Sequence, residues 1–269
     1  EFPTDGFINN VKTSQHDDAV IFVAADAHKN GDYTPYVFAS SDQGASWHSI
    51  AGDLPEDTVV WSIEQDHVDP ELLFIGAEYG VHVSVNGGQN WHKLAGAPPI
   101  SFRDVVLHRQ SEDLIGATFG RGLYVLDDYT ALRHLNNDTL QAEAALLPVR
   151  DAWWYVPHQT AQSEGQVTLG STAFAANNPD AGACFTYHLS TQALSAKKQR
   201  HEQEKAAVND QSNITWPGWD VLRDEHNTTD PRILLVVLDA HGQTVRRLAA
   251  ETKPGLHRIT WDLRLPAPD

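Results

Sequence analysis

Short runs rich in Val, Ile, Phe, Trp and Tyr alternate along the chain with clusters of Gly, Pro, Asn and Asp, and no helical period persists before about residue 190. This pattern predicts strands joined by turns. One group of four strands is expected over residues 7–50, with a longer loop at 26–35 between its second and third members. A second group is expected at 59–65, 72–77, 81–85 and 91–94. A third begins at Phe102, continues through residues 105–107 and 123–126, and shows no outer strand. Residues 131–150 read as a connector with short helical character. From residue 151 strand signals return, at 153–156, 166–169, 184–189, 233–238, 244–248 and 257–263, a count that fits a small β-sandwich over 151–269. Residues 239–242 between two of these form a hairpin turn. A Lys, Gln, Glu and Ala-rich stretch over 191–208 predicts a helix, and hence a helical insertion at about 190–225. It lacks an apolar stripe, so a solvated excursion is expected.

Two internal matches organise the first half. Ser40, Asp42, Gly44 and Trp47 recur in spacing as Ser84, Asn86, Gly88 and Trp91, so that the tryptophans lie 91 − 47 = 44 residues apart. This spacing suits a turn capped by the polar side chains, with the glycine at positive φ and the tryptophan plugging the space beneath. Independently, residues 73–80 match 113–120 at an offset of 40. Both periods fall near the length of a β-propeller blade, about 40–45 residues. The expected architecture is therefore all-β: a partial propeller of three blades over residues 1–130, then the sandwich. Propellers generally close with about 4–8 blades, so further blades are expected, from the same protein or another chain.

The two turns resemble the Asp box of BNR-repeat proteins, a β-propeller group that includes sialidases, other glycosidases and sortilin-like receptors. The second copy departs at Asn86, where the box has Asp, and at Asn90, where it usually has Thr. Residues 32–38, 72–80 and 118–128, followed by a sandwich with a helical insertion, resemble the C-terminal part of exported bacterial BNR-repeat proteins with a sortilin-like propeller. The last strands, 237–248 and 255–264, look like those of an Ig-like domain of bacterial hook-capping and secretion-associated modules. The resemblance implies a periplasmic or secreted protein, structural roles for the eight box residues, and no particular activity.

Charge and composition narrow the partners. With 19 Lys+Arg against 36 Asp+Glu, the net charge is −17, which disfavours nucleic acid and anionic lipid. No run is long enough for a membrane span. The first residues are Glu1-Phe2-Pro3, without an initiator Met or signal peptide, as expected of a processed chain or a fragment. Cys184 is the single cysteine, so no internal disulfide forms, and a small buried residue on a strand is expected there. The 14 histidines show no zinc-like spacing, and neither a phosphate loop nor a nucleophile elbow is present. No metal or cofactor is expected.

Candidate chemistry collects on the loops between second and third strands. They bring His28 and Tyr33 from the first blade, Tyr79 from the second, and Phe119 and Arg121 from the third to one rim, with Asp26, Asp32 and Glu78 as carboxylates. Such a mixture suits a protein or glycan ligand. A pair of these carboxylates at about 5–10 Å would suit glycoside hydrolysis. A sialidase site, which needs arginines from separate blades, is not complete, because Arg103, Arg109 and Arg121 all belong to the third. Two readings follow: a non-catalytic binding or scaffolding portion of an exported propeller protein, or a fragment of an Asp-box glycoside hydrolase whose other catalytic residues lie in further blades.

Overall fold

The computed structural model describes residues 2–155, 176 and 178–265. The chain divides into two units, Glu1–Asn136 and Asn137–Asp269.

The first unit consists of three antiparallel meanders. The first contains β1 (Phe7–Thr13), β2 (Ile21–Ala27), β3 (Asp32–Ser40) and β4 (His48–Ser49). The second contains β5 (Val60–Gln65), β6 (Leu73–Ala77), β7 (Gly80–Ser84) and β8 (His92–Lys93). The third has β9 (Phe102–His108), β10 (Asp113–Thr118) and β11 (Leu123–Leu126) and no fourth strand. Within each, strands pair in chain order, and the innermost strand packs on the preceding sheet: β5 on β1 and β2, β9 on β5 and β6. These are propeller blades.

Each inner strand carries the same irregularity. The pairing slips by one residue at Asn9, Trp61 and Arg103, so one extra residue is inserted after Ile8, Val60 and Phe102. The bulge restores to one face two apolar residues that lie three apart. Val60 and Ile63 enter the core between the first two blades, with Phe22, Ala24, Val37 and Ile75. Phe102 and Val105 enter the core between the second and third, with Phe74, Val81 and Val83. The bulged residue itself turns toward the rim, and this sets up the site.

The structure corrects the offset-40 match. Leu73 and Ile75 face the core toward the first blade, but Leu114 and Gly116, not Asp113 and Ile115, occupy the corresponding face in the third. The matched segments are out of register by one residue, and in a strand that exchanges the two faces. Phe119 consequently stands where Glu78 stands: Glu78 N–H donates to the Val59 carbonyl and Phe119 N–H to that of Ser101.

Beyond β11 the chain makes a 3-10 turn at Thr130–His134. Tyr129, Leu132 and Leu135 pack into the core between the second and third blades, the Tyr129 ring edge-on to Phe74.

In the second unit, a short helix α1 (Asn137–Gln141) precedes a sheet ordered β12 (Ala144–Leu146), β13 (Ala183–Leu189), β16 (Gly255–Trp261). A hairpin pairs β14 (Ile233–Leu238) with β15 (Thr244–Ala250). Helices α2 (Ala196–Asn209) and α3 (Trp219–Asn227) form the insertion, tied by Arg200 Nε to Glu225 at 2.8 Å. Trp153, Trp154 and Tyr155 correct the strand expected over 153–156: they are exposed and not in a strand, and no strand among the described residues pairs with them. Val156 and the strand expected at 166–169 lie outside the described residues. Cys184 is half-buried on β13.

Candidate functional site

The turns after β3 and β7 share one hydrogen-bond scheme. Ser40 Oγ donates to Asp42 at 2.8 Å and accepts from Gly44 N–H at 2.8 Å, while Asp42 accepts from Ser46 N–H at 2.8 Å. Ser84, Asn86, Gly88 and Asn90 repeat these contacts at 2.9, 2.8 and 2.9 Å. Asn86 replaces the carboxylate without loss because the bond needs only its amide oxygen. Donors from Ser46 and Ser40 hold the Asp42 carboxyl at about 2. Trp47 Nε1 donates to its own turn, to the Gly44 carbonyl; Trp91 Nε1 instead donates to Ile50 of the preceding blade. The second turn is thus also an inter-blade tie, reinforced by Asp53, which accepts from Trp91 N–H at 2.6 Å.

On the rim formed by the loops between second and third strands, the bulges bring three side chains into line. Asn9 donates to the Val60 carbonyl at 3.0 Å and also hydrogen-bonds Asp26. The Trp61 ring lies under the Arg103 guanidinium, 3.5 Å from its centroid, and edge-on to His28 at 5.3 Å. Phe119, 73% exposed, flanks the same guanidinium at 5.2 Å. Glu78 sits among these groups: its Oε2 accepts from Trp61 Nε1 at 2.9 Å and Ser101 Oγ at 2.8 Å, with Arg103 Nη2 at 4.0 Å. Glu78 and Arg103 remain partly exposed. A cation is therefore held between two aromatic faces beside an anchored carboxylate.

Asp26 is buried and binds the His28 ring and backbone N–H. Burial raises its pKa, but hydrogen bonds from His28 and Asn9 outweigh that and hold the carboxyl below its usual value. Asp32 caps its own turn, accepting from Tyr36 Oη at 2.7 Å and Thr34 N–H at 3.0 Å; chiefly the Tyr36 bond keeps it low. Tyr33 and Tyr79 are exposed on the same loops. Arg121 is exposed between Gly120 and Gly122, both left-handed, and the arginine beside Glu78 is Arg103. Trp61 and Arg103 were missed in the sequence because both sit on strands and not on loops. The signal was present as the polar or aromatic insertion between apolar residues three apart.

A second polar cluster lies where blades two and three begin their first turns. Buried Asp66 accepts from Arg133 Nε at 2.7 Å and Nη2 at 2.8 Å, from Tyr129 Oη at 2.7 Å, and from Asp69 N–H at 2.8 Å. Arg133 Nη2 also donates to Glu112 at 2.6 Å, and His67 lies 3.6 Å from Asp66 and 3.4 Å from Glu112. Burial pushes Asp66 up, yet the bonds from Arg133 and Tyr129 prevail and hold it at about 2. Asp66, His67 and Glu112 are close enough to share a cation, but Arg133 already supplies the positive charge, bonding both oxygens of Asp66 and one of Glu112. Its role is to join blades: His16 of the first blade reaches the Asp66 carbonyl at 2.8 Å.

Among the described residues, no helix is long and apolar enough to cross a membrane.

No family model matches the chain, and no curated protein matches it. Solved structures do match in part. A GH74 enzyme of Niastella koreensis aligns at 13% identity and TM-score 0.37, over 45% of this chain and 20% of that one. The GH74 xyloglucanase of Xanthomonas campestris aligns at 14% and 0.34, over 45% and 21%. An ancestral GH74 enzyme aligns at 21% and 0.36, over 47% and 17%. The chain spans about a fifth of the length of these proteins, and the functional reading rests on its own residues.

Proposed function

We propose that this chain is a non-catalytic, ligand-binding portion of an exported BNR-type propeller protein, and that its rim holds a neutral oligosaccharide. The observation that carries this is the Trp61–Arg103–Phe119 stack beside Glu78. Phe119, with Tyr79 and Tyr33 exposed at the corresponding connections of the other two blades, offers exposed ring faces for the apolar side of a sugar. Arg103 offers only donors and a carboxylate only acceptors, so adjacent hydroxyls find one of each. The stacking fixes the guanidinium in advance and reduces the entropy lost on binding. A net charge of −17 disfavours anionic glycans.

Glycoside hydrolysis needs two carboxylates facing one cleft. Asp26 is buried against His28 and Asp32 is spent on its own turn, which leaves Glu78 as the one of the three that opens on the rim. That favours binding over catalysis.

The test is calorimetric titration with a panel of neutral oligosaccharides, alongside a reducing-sugar release assay. Wild type binds at least one member and releases nothing; Phe119→Ala and Arg103→Ala each weaken binding about tenfold, equivalent to about 1.4 kcal/mol, with melting temperature unchanged. Sugar release that Glu78→Gln abolishes would install the hydrolase reading instead, and absence of any binding by wild type would remove the proposal.

A further inference from the structure

The two buried blade interfaces define what the two open faces of the first unit accept. At each interface, the later blade contributes an apolar pair three apart on its inner strand, straddling the bulge: Val60 with Ile63, and Phe102 with Val105, all buried. The earlier blade contributes the opposite face of its second and third strands: Phe22, Ala24, Val37 and Ala39, then Phe74, Val81 and Val83.

The first blade carries the same pair, which no other blade of the first unit covers among the described residues. Ile8 and Val11 straddle the bulge at Asn9, and both are 57% exposed. The third blade carries the same receiving face, which no other blade of the first unit covers among the described residues. Ile115 pairs with Val106 and Val125, and Ala117 with Leu123, so these five share a face; it is the one opposite Leu114, which points into the second core. Leu123 is 70% and Val125 is 52% exposed. They correspond to Val81 and Val83, which the third blade buries. Exposed apolar groups concentrated at two such sites mark an interface.

We infer that these faces are the two halves of one blade interface, and that the isolated chain joins a second copy head to tail, Ile8 and Val11 of one copy seating on Leu123 and Val125 of the other. The occupant follows from continuity with the interfaces already inside the molecule: the apolar pair on β1 has the spacing and the bulge of the two pairs that seat on such a face. Because the two halves differ, the contact is heterologous.

That asymmetry gives the test. Two variants of the full chain are made, Ile8→Lys/Val11→Lys and Leu123→Lys/Val125→Lys. Each changes side chains exposed in the single chain, and each is checked for an unchanged circular dichroism spectrum. Sedimentation equilibrium should show wild type rising above its 29.7 kDa monomer mass with concentration, and each variant alone remaining at the monomer mass. An equimolar mixture of the two should reach twice that mass and no more, since each variant retains the half its partner lacks. A wild type that stays monomeric, variants that associate as wild type does, or a mixture that does not pair would each overturn the inference.

Discussion

His82 shows how one residue can set a pH limit on the fold. It lies on β7, 7% exposed, and its Nδ1 has no hydrogen-bond partner among the described residues. Burial, with Lys93 adding a smaller repulsion, lowers its pKa from 6.5 to about 4. The unfolded chain takes up this proton near pH 6.5 and the folded chain only near pH 4, so stability is intact above 6.5 and falls as pH drops toward 4. The loss approaches about 3 kcal/mol. Denaturant titrations at intervals across this window should show the fall in wild type and a flatter profile in His82→Gln. The Asp66 carboxyl, held at about 2, adds its own loss only below its ordinary value of 3.8. Replacing Arg133 by Met leaves Asp66 buried without its cation, and chemical denaturation at neutral pH should register a cost of about 3–5 kcal/mol. Asp66→Asn/Arg133→Met should recover part of it, a coupling that the double-mutant comparison measures directly. Neither effect was visible in the sequence. Asp66 and Arg133 are 67 residues apart, and His82 is simply one of fourteen histidines until the structure shows it unpartnered.

At the level of elements, the two capped turns make identical local bonds but sit differently. Gly44 and Gly88 are both left-handed, at φ 90° and 88°. A methyl group on Gly44 would meet only the Trp47 ring, at 3.4 Å, whereas one on Gly88 would stand 2.8 Å from Ile50 of the neighbouring blade. Gly44→Ala should therefore cost about 1 kcal/mol of backbone strain, and Gly88→Ala should exceed it measurably in thermal unfolding because the blade contact must also shift. In the first unit the turns, strands and blade count were legible because hydrophobic alternation and the Ser, Asp or Asn, Gly, Trp spacing are local signals; the strand expected at 153–156 of the second unit was not formed by Trp153, Trp154 and Tyr155. The register of the third blade was not. Residues 113–120 copy 73–80 in sequence but are displaced by one residue in space, because the second strand takes its register from the inner strand: Leu73 pairs with Gln65 (73 − 65 = 8) but Leu114 with Leu107 (114 − 107 = 7), a pairing that the copied segment itself does not contain. The same bulges conceal the site in the sequence: Trp61 and Arg103 sit on strands, whereas loop residues are the ones that local pattern assigns to a rim.

For the whole molecule, the first unit is a run of blades with one repeated joint, used twice internally and presented once at each open side. The rim stack belongs to the same design, since the bulge that aims Val60, Ile63, Phe102 and Val105 into the cores also turns Arg103, and Trp61 buried beneath it, toward the rim. Binding at the rim is read most directly in the indole N–H region of a two-dimensional NMR spectrum, with Trp61 assigned by Trp61→Phe, during titration with a neutral oligosaccharide selected by calorimetry. Trp61 Nε1–H, donated to Glu78 beneath the Arg103 guanidinium, should shift progressively to saturation, while Trp91 Nε1–H, buried against Ile50, stays in place. A stationary Trp61 signal under saturating ligand, or shifts confined to the exposed tryptophans of the second unit, would contradict the claim.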